Sequence, residues 1–270
     1  MKRDVFELCS KLELQNEVVR KLKCIADKTI SHEIDMLIGH LVCPETAEQT
    51  YKILAEMFGE EKDNSRLLFC YLNAALITYQ RYQELNIPDD IYFDTMKSFT
   101  RFIGEQYEIT GEYSFQHGDW MWRHISMQLF RIGQLEYEFY CYQGEKVISI
   151  HIPSDVDFRN EMVEISIEQA RIFMREYYPD HAKERYMCYS WLLSPKLREL
   201  LGENSNIIKF QEHFDLVETG GMNHVDIQRI FKMPVDTKYS ELRECTSLQR
   251  KVKKRILNGE GIGFGCGFLR

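Results

Sequence analysis

At 270 residues the chain is longer than one minimal core requires, and two domains are expected. A formal net charge of −8 opposes broad binding to nucleic acid or anionic membrane, and no apolar run reaches the roughly 20 residues of a membrane span. Cysteines at 9, 24, 43, 70, 141, 188, 245 and 266 show neither CxxC nor zinc-ligand spacing, and Asp4 and Glu7 interrupt the apolar core of any secretion signal, so the expectation is a cytoplasmic protein with free thiols and no metal.

In chain order, residues 1–110 read as helices. Residues 5–9 and 16–26 space apolar side chains three and four apart, with Val18, Val19, Leu22 and Ile25 on one face. Ser31 is placed to cap a helix over 32–41, and Pro44 precedes one over 45–58 whose Glu45 and Glu48 suit the helix dipole. Residues 64–85 carry a long apolar face through Leu67, Leu68, Tyr71, Leu72, Ala75 and Tyr82. Pro88, Asp89 and Asp90 open a further helix to about residue 107, and Gly111 closes the section. From Tyr113 the composition turns aromatic and β-branched, so the domains are assigned as 1–112 and 113–270.

Residues 129–142 then read as a strand, 143–145 as a turn and 146–153 as a second strand. A helix over 166–178 leads to a buried strand over 185–193, and Ser194–Pro195 starts another helix. A short strand over 213–218, short helices over 225–232 and 248–257, and a glycine-rich strand over 261–269 follow. The fold class is therefore α+β: an all-helical N-terminal domain, then a mixed β-sheet flanked by helices. In such sheets, ligands bind at the carboxyl ends of the strands.

This order of elements from residue 129 onward resembles the core of the GNAT acyltransferase superfamily. WMWRHISMQLFRIGQLEYE (120–138), IHIP (150–153), CYSWLL (188–193) and FDLVE (214–218) resemble, more narrowly, a bacterial family. That family joins a helical N-terminal acyltransferase domain to a GNAT-like C-terminal domain, and the resemblance covers nearly the whole chain. It implies a GNAT-like sheet, acyl-coenzyme A as co-substrate, and transfer of the acyl group to an amine or small polar acceptor. One departure stands out. GNAT enzymes place a glycine-rich loop before the helix that holds the pyrophosphate, whereas residues 154–165 here lack glycine and carry Asp155, Asp157, Glu161 and Glu164. Either Arg159 serves the phosphates in a remodelled loop, or coenzyme A is not bound in the usual way. In the first case the backbone of Ile152 and Pro153 and the start of a helix at Ser166 complete the cofactor site.

His151 is the candidate general base, in a strand where it shares a face with Val147 and Ser149. The alternative is a histidine satisfied within the sheet. Ser190 is a candidate for orienting substrate, and Cys188 for a thiol nucleophile if its pKa is lowered; a small buried hydrophobe is the alternative for Cys188. Trp120, Arg123, Arg131 and Trp191 are candidates for the substrate wall, with core packing as the competing reading. Glu212–His213 and Asn223–His224 offer single metal ligands only. The glycines of 259–267 lack a GK[ST] ending and fit a tightly packed last strand. The basic run from Arg250 to Arg255 reads as a solvated helix face or an anion contact. A second reading keeps the fold as a non-catalytic module that senses a small ligand, cationic if the acidic segment contacts it. Either way the partner is a small molecule, with the oligomeric state left open.

Overall fold

A computed structural model describes residues 4–221 and 227–270, so the expected helix start at Val225 and the potential ligand His224 lie outside the described residues. The chain forms two compact units, Met1–Ile132 and Gly133–Arg270. The first unit holds helices α1 (Val5–Lys11), α2 (Asn16–Thr29), α3 (His32–Leu41), α4 (Ala47–Phe58), α5 (Ser65–Glu84), α6 (Asp89–Met96), α7 (Ser98–Thr110) and α8 (Gly118–Ile125), then strand β1 (Leu129–Ile132). Asp4 caps α1 through Phe6 N at 2.8 Å, and Ser31 caps α3 through Ile34 N at 3.2 Å, as expected from short polar side chains at these positions. Helix α5 is buried nearly all round, with Leu67 to Leu72 inside without interruption, and α1, α2, α3, α4, α6 and α8 pack against it.

Two boundaries differ from expectation. The single helix expected over 88–107 is two, α6 and α7, meeting at Lys97. Thr95 Oγ1 donates to Ile91 O at 2.7 Å, the back-bonding that bends a helix. The first unit also runs about twenty residues past 112. Tyr71 Oη donates to Gly118 O at 2.7 Å and Thr78 Oγ1 to Ile125 O at 2.6 Å. Arg131 N donates to Thr95 Oγ1 at 2.9 Å, so α8 and β1 are fastened to the helices before them.

The second unit contains β2 (Leu135–Tyr142), β3 (Glu145–His151), α9 (Asn160–Tyr177), β4 (Arg185–Ser190), α10 (Leu197–Leu200), α11 (Asn206–Glu212), β5 (Phe214–Gly220), α12 (Ser247–Leu257) and β6 (Phe264–Leu269). Its strands lie in the order β2-β3-β4-β6-β5. Strands β3 and β4, joined through α9, are parallel, and the other pairs are antiparallel. The unit is the mixed sheet with helices that was expected.

The run 129–142 is two strands, because Gly133 adopts φ +63° and turns the chain where Ser166 and Gln169 leave no room for a Cβ. Helix α9 begins six residues before Ser166. Strand β4 stops at Ser190, where the Ser190 hydroxyl accepts the Leu192 amide at 3.1 Å and closes a 3-10 turn over Trp191–Leu193. Among the described residues, no helix is long and apolar enough to cross a membrane.

All eight cysteines are free thiols, and they differ in exposure, with Cys43 half-buried. Cys24, Cys141 and Cys245 are exposed, whereas Cys9, Cys70, Cys188 and Cys266 are buried. Burial pushes the Cys9 and Cys70 thiols up to about 12, and Cys188 and Cys266 also upward. Iodoacetamide on the native protein at pH 8 should therefore modify Cys24, Cys141 and Cys245 rapidly. The four buried thiols should react only after denaturation, as intact-mass analysis would show. Rapid native labelling of Cys188 would contradict the packing of β4.

Candidate functional site

Strands β3 and β4 run parallel with Val147, Ile148, Ser149 and Ile150 opposite Arg185, Tyr186, Met187 and Cys188. The pairing ends there. Strand β4 continues to Tyr189 and Ser190 against Cys266 and Gly265 of β6, while His151 continues β3 opposite Glu136 of β2. Beyond Ile150 and Cys188 each strand thus keeps only its outer neighbour, β2 for β3 and β6 for β4. Backbone groups released from a ladder at such a point must find other partners, which is how parallel sheets make ligand cradles.

His151 stands at this opening, half-buried. Its Nε2 donates to Glu138 Oε2 at 2.7 Å. The alternation of β2 places Glu136 and Glu138 on one face, both buried, and the register puts Ser149 and His151 opposite them. A carboxylate accepting at Nε2 selects the tautomer whose basic nitrogen is Nδ1. The arrangement can hold an imidazole in fixed orientation and take up a proton at Nδ1.

The other expected residues divide. Cys188 and Ser190 share the opposite face of the sheet from His151. Cys188 is fully buried and its pKa is raised by desolvation, the opposite direction from the one a nucleophile needs. That weighs against its candidacy as a nucleophile and fits the alternative of a small buried hydrophobe. Ser190 caps the turn after β4, and Trp191 packs against a cluster of Leu197, Phe231, Val252 and Ile262.

At the end of β3, Ile152 follows the last paired residue, and Pro153 O accepts Val156 N at 3.3 Å. The acidic connection is shorter than expected, because Glu161 and Glu164 already lie on α9. Arg159 donates to Asp157 through Nε at 2.8 Å and Nη2 at 2.6 Å, and lies 3.6 Å from Glu161. The pairing holds Asp157 below and Arg159 above their ordinary values. Asn160 in the first turn donates to Glu164 Oε1 at 2.8 Å and accepts from His213 Nε2 at 2.9 Å. Asp157, Glu161 and Glu164 thus have polar partners around the amino end of α9.

Ser166 is a correction. It is fully buried in the second turn of α9, where its Oγ accepts Leu135 N at 3.1 Å and lies 3.0 Å from Tyr137 Oη. Its hydroxyl braces β2 and does not face a cofactor from the start of the helix.

Within the first unit, Arg123 lies over both the Trp120 and Trp122 rings, 4.3 and 4.4 Å from their centroids, and donates to Asp119 O at 3.0 Å. Trp120 and Arg123, both candidates for the substrate wall, are therefore in contact with each other. Arg131 is buried in β1. In α12, Lys251 bonds Leu200 O, Lys253 pairs with Glu244, and Arg255 pairs with Glu199 and Glu260, so these members of the basic run tie the unit together. Among the described residues, no group of three His, Cys, Asp or Glu side chains is placed to hold a metal ion.

Sequence reasoning passed over Glu138 and Asn160 and weighed His213 only as a single metal ligand. Glu138 left a signal: two glutamates at alternate positions in the aromatic run EYEFY must point the same way as each other in a strand. Asn160 and His213 left none, since 53 residues separate them.

Two family models cover the chain: an N-acyltransferase N-terminal domain over residues 3–127 and a GNAT-like C-terminal domain over 129–269. No curated protein matches in sequence. Solved structures with the same fold include an acyltransferase in complex with decanoyl-CoA and teicoplanin, 18% identical with a TM-score of 0.78, over 98% of this chain and 87% of that one. A mutant acyltransferase in complex with octanoyl-CoA is 18% identical with a TM-score of 0.79, over 98% and 87%. An acyltransferase in complex with CoA and 10C-teicoplanin is 17% identical with a TM-score of 0.72, over 99% of each chain. With both models matched in order along one chain, the protein belongs to the family that joins an N-acyltransferase N-terminal domain to a GNAT-like C-terminal domain.

Proposed function

We propose that the protein transfers an acyl group from acyl-coenzyme A to an amine, at the carboxyl ends of β3 and β4. The observation that carries this reading is the His151–Glu138 pair, held at 2.7 Å where the parallel pairing of β3 and β4 stops. The complexes of acyl-CoA and CoA with structures of this fold support the co-substrate. Their teicoplanin complexes support a small polar acceptor rather than a macromolecule.

The residues present fit coenzyme A. The strand ends part, and the amino end of α9 carries the positive end of a helix dipole with Arg159 beside it. In this reading Arg159 exchanges Asp157 for a phosphate oxygen, which offsets the missing glycine loop. Coenzyme A supplies the activated thioester. The amine attacks the thioester carbonyl, His151 Nδ1 accepts the amine proton, the C–S bond breaks, and the leaving thiolate takes that proton from the imidazolium, which restores neutral His151. Glu138 fixes the ring and balances the imidazolium charge. Positioning and proton transfer supply the rate, with no covalent acyl-enzyme.

Acyl-coenzyme A should raise the Tm by mass action, by an amount that grows with concentration. Octanoyl- and decanoyl-coenzyme A are the first probes, followed by assay of free thiol release with amine acceptors. The absence of both a shift and thiol release at millimolar acyl-coenzyme A would remove this reading and leave the non-catalytic sensing module.

A further inference from the structure

The helical unit holds a cavity of about 220 Å³ between α1, α5 and α6. Its wall is aromatic. Ring centroids of Tyr79 and Tyr92 are 4.7 Å apart, those of Tyr92 and Phe93 5.1 Å, and those of Tyr79 and Phe93 6.0 Å, so the three rings make one continuous surface. That surface is anchored. Tyr92 is fully buried and donates to Ala75 O at 2.8 Å, and Tyr79 Oη donates to Asp89 Oδ2 at 3.0 Å. Leu8 forms an apolar part of the lining.

The mouth is charged. Asp4, Glu7 and Lys11 of α1 and its cap stand around it, two carboxylates to one ammonium. Lys11 Nζ lies 5.5 Å from the Phe93 ring centroid and 3.4 Å from Glu7 Oε1. The chain's own alkylammonium thus occupies the place where an aromatic face and a carboxylate meet. Aromatic rings attract cations through their negative faces, most strongly cations that are weakly hydrated.

We propose that this cavity is a binding site for a small organic cation of the alkylammonium or quaternary ammonium class. The ligand's charge replaces the Lys11 ammonium over Phe93, and its alkyl groups lie on Tyr79, Phe93 and Leu8. Glu7 supplies the countercharge once Lys11 swings out to solvent, whereas Asp4 remains engaged with Phe6 N as the cap of α1. The site belongs to the first unit alone and is independent of the acyl-transfer reading.

Choline is the probe, with 3,3-dimethylbutan-1-ol as a control of the same shape without the charge. Both are titrated against the full chain by calorimetry and thermal shift. Choline should bind saturably, and the neutral isostere should not. Lys11→Ala should tighten choline by about threefold or more, because it removes the internal competitor, and Phe93→Leu and Glu7→Gln should each weaken it by about tenfold. Circular dichroism establishes that each variant is folded. Three results would overturn the site: no saturable binding to the wild type and Lys11→Ala up to about 10 mM, equal binding of the isostere, or unchanged affinity in folded Phe93→Leu. Choline binding no tighter in Lys11→Ala would overturn the displacement of Lys11.

Discussion

His151→Ala is expected to lower acyl-transfer turnover at neutral pH by about a hundredfold or more, the usual cost of removing a general base. The geometry adds a complication that the sequence does not show. Glu138 is buried and its Oε2 accepts from His151 Nε2, so alanine also removes that partner. Leaving a buried acceptor short of a donor costs about 1–3 kcal/mol, and the Tm of His151→Ala should fall by more than at an ordinary exposed position. His151→Gln separates the two effects, because its amide can still donate to Glu138 but has no basic nitrogen. Turnover should remain low in His151→Gln while stability returns toward the wild type. The measurements are steady-state kinetics across pH and urea unfolding of all three proteins. Full activity in His151→Gln would mark the histidine as a structural partner of Glu138 and remove its role as base.

Gly265→Ala is expected to destabilise the protein by about 3 kcal/mol or more while leaving every proposed reacting group in place. Gly265 pairs with Ser190 at the end of β4, and the turn over Trp191–Leu193 folds back onto it. An added Cβ would fall on the Leu193 carbonyl oxygen, with Leu193 Cβ at 3.0 Å. Backbone on both sides of the contact cannot move without separating β4 from β6. Gly263→Ala should be comparably damaging, since its φ is +70° and its Cβ would strike the Gly220 and Gly221 carbonyl oxygens. Gly259 provides the control. Its φ is +78° but nothing lies within 4 Å, so alanine there should cost only the left-handed backbone term, about 1–2 kcal/mol. Chemical denaturation of the three variants checks the ranking. A loss at Gly265 no larger than that at Gly259 would show that β6 and the turn after β4 can part to admit a methyl group, and would overturn the close-approach argument.

Much of the fold was legible locally. Helical spacing in 16–26, the Ser31 cap and the apolar face of 64–85 depend on neighbours three and four residues away, and α2, α3 and α5 lie where those patterns put them. Alternation placed Ser149 and His151 on one face, which the register of β2 and β3 reproduces. The closing glycines 263 and 265 read as tight packing, and both are hemmed in by backbone. Boundaries fared worse where long-range bonds set them. Thr78 and Tyr71 hold α8 to the helical unit from 47 residues away, so the compact unit continues past the shift in composition at 113.

The chain's amino-acid pattern by itself determined the α+β class, the order of elements and the family resemblance, and it supplied His151 as a candidate base. Those follow from periodicity and residue chemistry, which act over a few positions. Tertiary structure alone decided which carboxylate holds His151, because Glu138 meets it only through the pairing of β2 with β3. It also made Cys188 a buried neutral thiol rather than an activated one, since desolvation depends on what surrounds a thiol and not on its neighbours in sequence. Ser166 moved from cofactor to scaffold for the same reason: a hydroxyl's role is set by the donors and acceptors that folding brings within 3 Å of it.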